Sequence, residues 1–296
     1  MKRAPVFDCV IDARARLGEG AIWSAHQQRL LWVDIPTGRV NRYDPVSHHN
    51  ESWEFGRPLG CLGETDNDGV IGAFTDGFYQ LALEAKTEIF LAGPRPAEHG
   101  HRFNDGSVDM VGRFYAGTMP LTGPSANDVT GTLYRLDSAR TTKVMSGFHV
   151  INGLAFAPDG RTAYVSDSFA DTQLIWAYDY DQDIAEWSNK RVFFDANTVA
   201  GRPDGGTVDA DGCYWMAGVS GWQLYRITPD GKVDLTLNIP AEKPTRIAFG
   251  GTDLKTLFCT SIRVDNDSKQ PQSGGVFATR LESVQGVAHP RIRQFP

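Results

Sequence analysis

The chain has 296 residues, which is enough for two average domains or one large repeat domain. Its formal net charge of −7 argues against a nucleic-acid-binding surface, because the recognition of phosphates needs clustered Lys and Arg. No run approaches the ~18 apolar residues of a membrane span, and Asp8 and Asp12 interrupt any apolar core of a signal peptide. We therefore expect a cytoplasmic protein without nucleic-acid or membrane partners, whose oligomeric state the sequence leaves open.

The cysteines are few and far apart. The four are Cys9, Cys61, Cys213 and Cys259, and no two of them form a Cys-x-x-Cys pair. This spacing indicates neither a disulfide framework nor a cysteine-based zinc site. We expect buried thiols in a reducing compartment.

One pattern recurs along the chain: a turn followed by a short strand with a bulky fourth residue. It occurs at residues 29–32, 69–72, 112–115, 161–164, 212–215 and 255–258, and successive starts are 40, 43, 49, 51 and 43 residues apart. The second unit is the least typical, because Gly72 takes the place of the bulky residue. Asp-Gly turns precede several units and supply the positive φ that tight hairpins need. Further strand-like runs follow most units.

This period predicts the fold. Units of about 40–50 residues with several strands each are typical of propeller blades. We therefore predict an all-β, six-bladed β-propeller with four-stranded antiparallel blades around a central channel, in a single domain covering residues 1–296. A β-sandwich would not require one strand pattern to recur along the whole chain. Helical periodicity is weak throughout, and the one segment with plausible helical character is residues 185–187.

Equivalent positions in the repeat bring polar residues together. The first strand of each blade lines the channel of a propeller, and that strand precedes the repeated one. Reading back from each repeat start to this strand selects Glu19, Gly60, Asn104 (or Arg102), Asn152, Asp204 and Thr245. Asn152 and Asp204 each precede glycine and, taken singly, are also typical of ordinary turns. Their common register in the blades favours a shared site at the channel mouth.

The residue types at these positions indicate a metal. Glu19 and Asp204 offer carboxylates, and Asn104 and Asn152 offer amide oxygens. Such an all-oxygen set suits Ca²⁺, Mg²⁺ or Mn²⁺ better than a structural Zn²⁺ held by Cys and His. A cation with only three protein ligands has positions left for substrate and water, and it can polarise a carbonyl group. Without a cation the two carboxylates would repel each other.

Motifs along almost the whole chain resemble those of the senescence-marker-protein/gluconolactonase/regucalcin-like family. They are LGEG at 17–20 with WVD at 32–34, RFNDG at 102–106 with GRFYAGTM at 112–119, NGLA at 152–155 with PDG at 158–160, PDG at 203–205 with VD at 208–209, and PT at 244–245 with AFGG at 248–251. The resemblance implies a six-bladed propeller and a metal-dependent lactonase that acts on aldonolactones.

The resemblance also implies roles for particular residues. Glu19, Asn152 and Asp204 match the ligands of one divalent ion (Ca²⁺, Mg²⁺, Mn²⁺ or Zn²⁺), and Asp204 also matches the general base. Arg102 and Asn104 match the substrate-binding pair. Some family members have an acidic residue shortly after Gly-Thr-Met that contacts sugar hydroxyls, whereas this chain has PLTGP at 120–124. This departure leaves open the hydroxyl pattern of the lactone and the presence of an anionic substituent.

Three other functions are compatible with a propeller. The first is a metal-dependent phosphotriesterase or arylesterase, and the second is a non-catalytic, calcium-binding regulatory protein. The third is a protein-interaction propeller, which would have no axial metal and for which no Gly-His…Trp-Asp signature is present. An α/β-hydrolase mechanism is not indicated, because the chain lacks Gly-x-Ser-x-Gly. Residues 125–128 look like an exposed loop of the third blade that could cover the channel mouth as a lid.

Overall fold

The repeated segments become the second strands of six four-stranded antiparallel sheets, which confirms the six-bladed β-propeller. The structure is a computed structural model and describes residues 5–94, 100–137 and 140–293. Within these residues no helix has the length and apolar character to cross a membrane.

The strands follow one another blade by blade, after an N-terminal strand β1 (Asp8–Ile11). The first blade contains β2 (Gly18–Ser24), β3 (Arg29–Asp34), β4 (Arg39–Asp44) and β5 (His49–Glu54). The second contains β6 (Leu59–Glu64), β7 (Val70–Phe74), β8 (Phe78–Ala82) and β9 (Thr87–Ala92). The third contains β10 (His101–Val108), β11 (Phe114–Pro120), β12 (Gly131–Asp137) and β13 (Arg140–Phe148).

The remaining blades continue the same order. The fourth contains β14 (Ile151–Phe156), β15 (Thr162–Asp167), β16 (Leu174–Asp181) and β17 (Glu186–Asp195). The fifth contains β18 (Arg202–Val208), β19 (Tyr214–Val219), β20 (Gln223–Ile227) and β21 (Val233–Asn238). The sixth contains β22 (Pro244–Gly250), β23 (Thr256–Ser261) and β24 (Val276–Arg280), with β1 as its outer strand.

Both chain ends help to close the ring. β1 pairs antiparallel with β24, so that the N-terminal strand completes the last blade. A C-terminal segment then crosses the end of the channel where the inner strands finish, through bridges of Gly286 to Asp209 and of Ile292 to Thr65. The opposite end, where the inner strands begin, is called the mouth below. Because residues from the two chain ends join the blades, the ring is closed by pairing rather than by packing alone.

Burial follows the position of each strand in its blade. The inner strands β2, β14 and β22 are buried along their whole length, whereas the outer strands β5 and β17 are largely exposed. Each inner strand contacts the inner strands of both neighbouring blades. An inner strand is therefore covered on both faces.

Two expectations from the sequence are wrong. Residues 185–187 are not helical, because Ala185 has a positive φ of 59° and lies in the turn that leads into β17. Trp187 instead packs edge-on against the ring of Phe156, with centroids 5.6 Å apart. Cys9 is only half-buried, since it lies on the outer strand of its blade, whereas the other three cysteines are buried as expected.

All six inner strands have a β-bulge at the same height. The register with the second strand shifts after Glu19, Leu59, Phe103, Asn152, Pro203 and Pro244. A bulge turns a strand locally and re-aims its side chains. Here it brings two consecutive residues of one strand to the axis, as Asn104 and Asp105 illustrate in the third blade.

The bulge after Asn152 depends on a glycine. Gly153 has a φ of +58°, and an added Cβ would lie 2.3 Å from the Tyr214 hydroxyl oxygen. Gly123 in an exposed turn also has a positive φ, of +88°, but no atom lies within 4 Å of its added Cβ. We expect Gly153→Ala to cost about 1–3 kcal/mol more unfolding free energy than Gly123→Ala, because only the first crowds the interior. Chemical denaturation measures both, and equal losses would contradict the packing argument.

Candidate functional site

Two carboxyl groups meet in the channel near its mouth. Glu19 comes from the first blade and Asp204 from the fifth, and each is only 6% exposed. Each of the two carboxyl groups acts electrostatically on the other. The Gly20 amide donates a hydrogen bond to Glu19 Oε2 at 2.9 Å. Within the described parts of the chain, neither carboxylate has an ion pair with a basic side chain at contact distance.

Burial sets the electrostatics of this pair. It raises the pKa of Glu19 to about 7, and the nearby negative charge of Asp105 adds to the increase. Burial, followed by the charge of Glu19, raises the pKa of Asp204 well above its ordinary value. Both effects penalise the charged form, so that a cation between the two groups would relieve an unfavourable arrangement.

A chain of hydrogen bonds lies beside the carboxyl pair. Arg102 Nη1 donates to Asn104 Oδ1 at 2.9 Å, and Asn104 Nδ2 donates to Asn152 Oδ1 at 2.8 Å. Asn104 Nδ2 also donates to the Ile151 carbonyl at 3.0 Å. Both amide protons of Asn104 are therefore engaged within the protein. Burial lowers the pKa of Arg102 to about 10, although the charges of Glu19 and Asp204 oppose that change.

Asn152 is held from its other side by a residue that sequence analysis missed. Its Nδ2 donates to Ser168 Oγ at 2.6 Å, and the Ser168 hydroxyl in turn donates to the Pro203 carbonyl. These contacts orient the amide so that Asn152 Oδ1 accepts from Asn104 and keeps a second lone pair. Ser168 lies in a loop after β15, where no repeat position or motif singles it out.

A buried ion pair forms the floor of the site. Arg246 Nη1 lies 2.7 Å and 3.0 Å from the two carboxylate oxygens of Asp105. The two residues come from the sixth and third blades, so the pair crosses the channel. Asp105 also accepts hydrogen bonds from the amides of Gly106 and Leu154. An added Cβ on Gly205 would lie 2.5 Å from Arg246 Cδ, which explains why a glycine follows Asp204.

The two remaining inner-strand positions fill space. Thr245 is fully buried, and its hydroxyl donates to the Gly18 carbonyl of the neighbouring blade. A Cβ on Gly60 would lie 2.5 Å from the backbone of Phe103, so only glycine fits there. The loop at residues 125–128 is largely exposed between β11 and β12, on the mouth side. Its role as a lid stays a prediction.

The donor set fits a hard divalent cation. The described residues contain no group of three or more His, Cys, Asp and Glu side chains placed to hold a metal, so an amide oxygen must complete any such site. Asn152 Oδ1, which accepts a hydrogen bond from Asn104, would offer that oxygen from the fourth blade. Carboxylate and amide oxygens are the ligands of Ca²⁺, Mg²⁺ and Mn²⁺. A cation between two buried carboxylates would relieve their mutual repulsion.

Residues 17–263 match the sequence profile of the family described as "SMP-30/Gluconolactonase/LRE-like region". The chain belongs to this family. It is 40% identical to 6-deoxy-6-sulfogluconolactonase of Pseudomonas putida, over 95% of this chain and 97% of that protein. It is 32% identical to regucalcin of Xenopus laevis, over 95% and 96% of the two chains. The structure superposes on a luciferin-regenerating enzyme with a TM-score of 0.90 at 25% identity, over 98% and 100% of the chains.

Membership of the SMP-30/gluconolactonase/LRE-like family confirms the resemblance inferred from the motifs. The five residues with predicted roles lie on inner strands of four blades, and hydrogen bonds connect Arg102, Asn104 and Asn152 directly. Their roles as metal ligands and substrate contacts stay predictions, which the following experiments test.

The proposed cation site at the carboxyl pair can be tested by thermal stability. We expect Glu19→Gln and Asp204→Asn to raise the Tm of chelator-treated protein at mildly alkaline pH, because each removes one of two repelling charges. The same variants should lose the increase in Tm that added divalent metal gives the unchanged protein. At a hundredfold excess of metal over Kd, that increase corresponds to about 2.7 kcal/mol of unfolding free energy. The control is Glu64→Gln, a buried carboxylate bonded to Ser24 and remote from the mouth. A metal response that survives in both site variants would contradict the assignment.

The floor makes a second prediction. Arg246→Met leaves the Asp105 carboxylate buried without its cation, and we expect a loss of about 3–5 kcal/mol in unfolding free energy. The double variant Asp105→Asn/Arg246→Met should recover part of this loss, because no uncompensated charge remains. Arg191→Met, which breaks an exposed pair with Asp179, should change stability much less. If Arg246→Met lowers the unfolding free energy as little as Arg191→Met does, the floor pair is not needed for stability.

Proposed function

We propose that this protein hydrolyses a sugar-acid lactone, an aldonolactone, to its aldonic acid, with one divalent metal ion held by Glu19, Asn152 and Asp204. The observation that carries the proposal is the buried Glu19–Asp204 pair beside the Arg102–Asn104–Asn152 chain. Acidic oxygens that favour a cation thus lie next to donors that suit hydroxyl groups. The name of the P. putida relative, a sulfogluconolactonase, supports the same reaction class.

In this proposal Asp204 acts as the general base. Glu19, Asn152 and Asp204 would hold the cation, which would supply positive charge to polarise the lactone carbonyl and to stabilise the negative charge that its oxygen gains. Asp204 accepts a proton from the attacking water as the water oxygen bonds to the carbonyl carbon. The ring C–O bond then breaks, and Asp204 returns the proton to the departing ring oxygen, which leaves as an alcohol. Burial raises the pKa of Asp204, whereas a bound cation would lower it, so the two effects oppose each other at this carboxylate.

Arg102 and Asn104 contribute in different ways. Arg102 uses Nη1 to bond Asn104 and the Phe103 carbonyl, which leaves its other guanidinium N–H groups for substrate oxygens. Asn104 commits both amide protons to Ile151 and Asn152, so its main contribution is to orient Arg102 and Asn152. Contact of Asn104 with substrate is limited to its Oδ1.

The polar neighbours of the carboxyl pair favour a hydroxylated substrate over an apolar ester. Arg102 and Asn104 place donors and acceptors beside the pair, whereas an arylesterase or a phosphotriesterase would need an apolar wall there. A calcium-binding protein without catalysis remains the main competing function, since regucalcins are among the relatives. An assay of lactone hydrolysis distinguishes the lactonase from the calcium-binding protein.

The test is a pH-indicator assay on a panel of sugar lactones, with chelator-treated protein and then with added Mg²⁺, Ca²⁺, Mn²⁺ or Zn²⁺. We expect activity that disappears with chelator and returns with metal. Asp204→Asn should lower kcat by roughly 10²-fold or more while the protein still melts cooperatively. Arg102→Ala should mainly raise KM, and Arg191→Ala on the outer strand β17 is the control. Metal binding without hydrolysis of any lactone would favour the non-catalytic function.

A further inference from the structure

The residue two positions before each channel residue lies at the mouth, within the inner strand in β10 and β18 and directly before it in the other four blades. Side chains alternate along an extended chain, and the hydrogen bond between the side chains of Arg102 and Asn104 follows this pattern. We therefore expect these six residues to form a second ring above the carboxyl pair. The carbonyls of Leu17, Val150 and Lys243 each accept a hydrogen bond from the residue just beyond the second strand of the same blade, which shows that these positions are equivalent. Arg102 and Arg202 occupy the same position within β10 and β18.

This upper ring is charged on one side. Its six members are Leu17, Pro58, Arg102, Val150, Arg202 and Lys243. The cations come from the third, fifth and sixth blades, and no member is acidic. Arg202 and Lys243 belong to neighbouring blades and therefore lie side by side on the ring. The two positions next to them, in the first and fourth blades, are aliphatic.

Arg202 and Lys243 have no protein anion of their own. Both are half-buried, and neither side chain makes an ion pair or hydrogen bond within the described residues. Other arginines of the chain are paired: Arg226, for example, contacts three aspartates. The positive charge of Arg202 acts on Asp204 below it, whose pKa it lowers against the stronger effect of burial. Partly desolvated donors without a partner favour an anionic ligand, and an Arg guanidinium can hold one with two parallel bonds.

From this arrangement, and building on the proposed lactonase function, we propose that Arg202 and Lys243 bind an anionic substituent on the lactone, at the end remote from its carbonyl. The upper ring lies two residues along the chain from the carboxyl pair, which corresponds to about 6.6 Å in an extended strand. That distance suits a short sugar chain with its acyl end at Asp204 and its far end at the mouth. Sulfonate, phosphate and carboxylate share the required chemistry, a negatively charged group with several acceptor oxygens.

The test compares matched substrates and matched variants. The substrates are gluconolactone and its 6-phosphorylated, 6-sulfonated and 6-carboxylate counterparts. We expect the unchanged protein to prefer at least one anionic lactone in kcat/KM. Arg202→Gln should lower the ratio of kcat/KM for that substrate to kcat/KM for gluconolactone about tenfold or more, since charge-assisted hydrogen bonds to the anionic group are lost, whereas any effect of Arg202 through Asp204 is common to both lactones. Lys243→Gln should act in the same direction, and the preference should weaken as salt increases.

The control is Arg16→Gln, an exposed arginine on the mouth side that is outside the ring. It should leave the ratio of anionic to neutral lactone unchanged. Equal losses on neutral and anionic lactones in Arg202→Gln, or a preference of the unchanged protein for gluconolactone, would overturn the anion site while leaving the lactonase function standing.

A binding measurement separates this proposal from hydrolysis. We expect 6-phosphogluconate to bind the unchanged protein more tightly than gluconate does, as measured by calorimetry, and Arg202→Gln to remove the difference. If no lactone is hydrolysed but this difference is present, the proposed reaction fails and the anion site stands. If the two acids bind equally to the unchanged protein, the anion site is wrong whatever the assay of hydrolysis shows.

Discussion

The carboxyl groups of Glu19 and Asp204 share a space from which solvent is almost excluded, and much of the surrounding structure can be understood as a response to that arrangement. Each group is raised in pKa by burial and by negative charge nearby. No basic side chain among the described residues pairs with either one. Such an arrangement costs folding free energy unless a cation enters it.

The propeller provides the rigidity that this site needs. Ring closure through β1 fixes the sixth blade to the N-terminus, and the bulges aim side chains from separate blades at the same height. The charges then form layers along the axis. Arg202 and the other cations of the upper ring lie at the mouth, the two carboxylates lie below them, and the Asp105–Arg246 pair forms the floor. The opposite charges of Asp105 and Arg246 balance each other, so the floor adds no net charge beneath the carboxylates.

Much of this could be predicted from the sequence, for reasons that particular residues show. One strand pattern recurred in every blade, so the propeller and the inner-strand positions of Glu19, Asn152 and Asp204 followed from register alone. The Asp105–Arg246 pair could not be found in this way, because its members lie 141 residues apart and meet only across a closed ring. The repeat assigned one residue per blade to the channel, whereas the bulge brings two.

Local signals failed where tertiary context decides. Residues 185–187 are too few to distinguish a helix from a turn by their sequence alone. In the fold they form the end of a turn and the start of β17, and Trp187 packs on Phe156 of the same blade. Ser168 carries no signal, since any loop serine could have occupied that place. Cys9 was expected to be buried like the other thiols, because the spacing of the cysteines does not reveal which of them lies on an outer strand. Each of these depends on neighbours distant in sequence.

The proposed function depends on Glu19, Asn152 and Asp204 holding one divalent cation together. Anomalous diffraction from crystals soaked in Mn²⁺ locates the metal without reference to activity. We expect one strong peak among the carboxylate oxygens of Glu19 and Asp204 and the amide oxygen of Asn152. A channel without a peak, or a metal bound elsewhere while these oxygens stay unliganded, would contradict it.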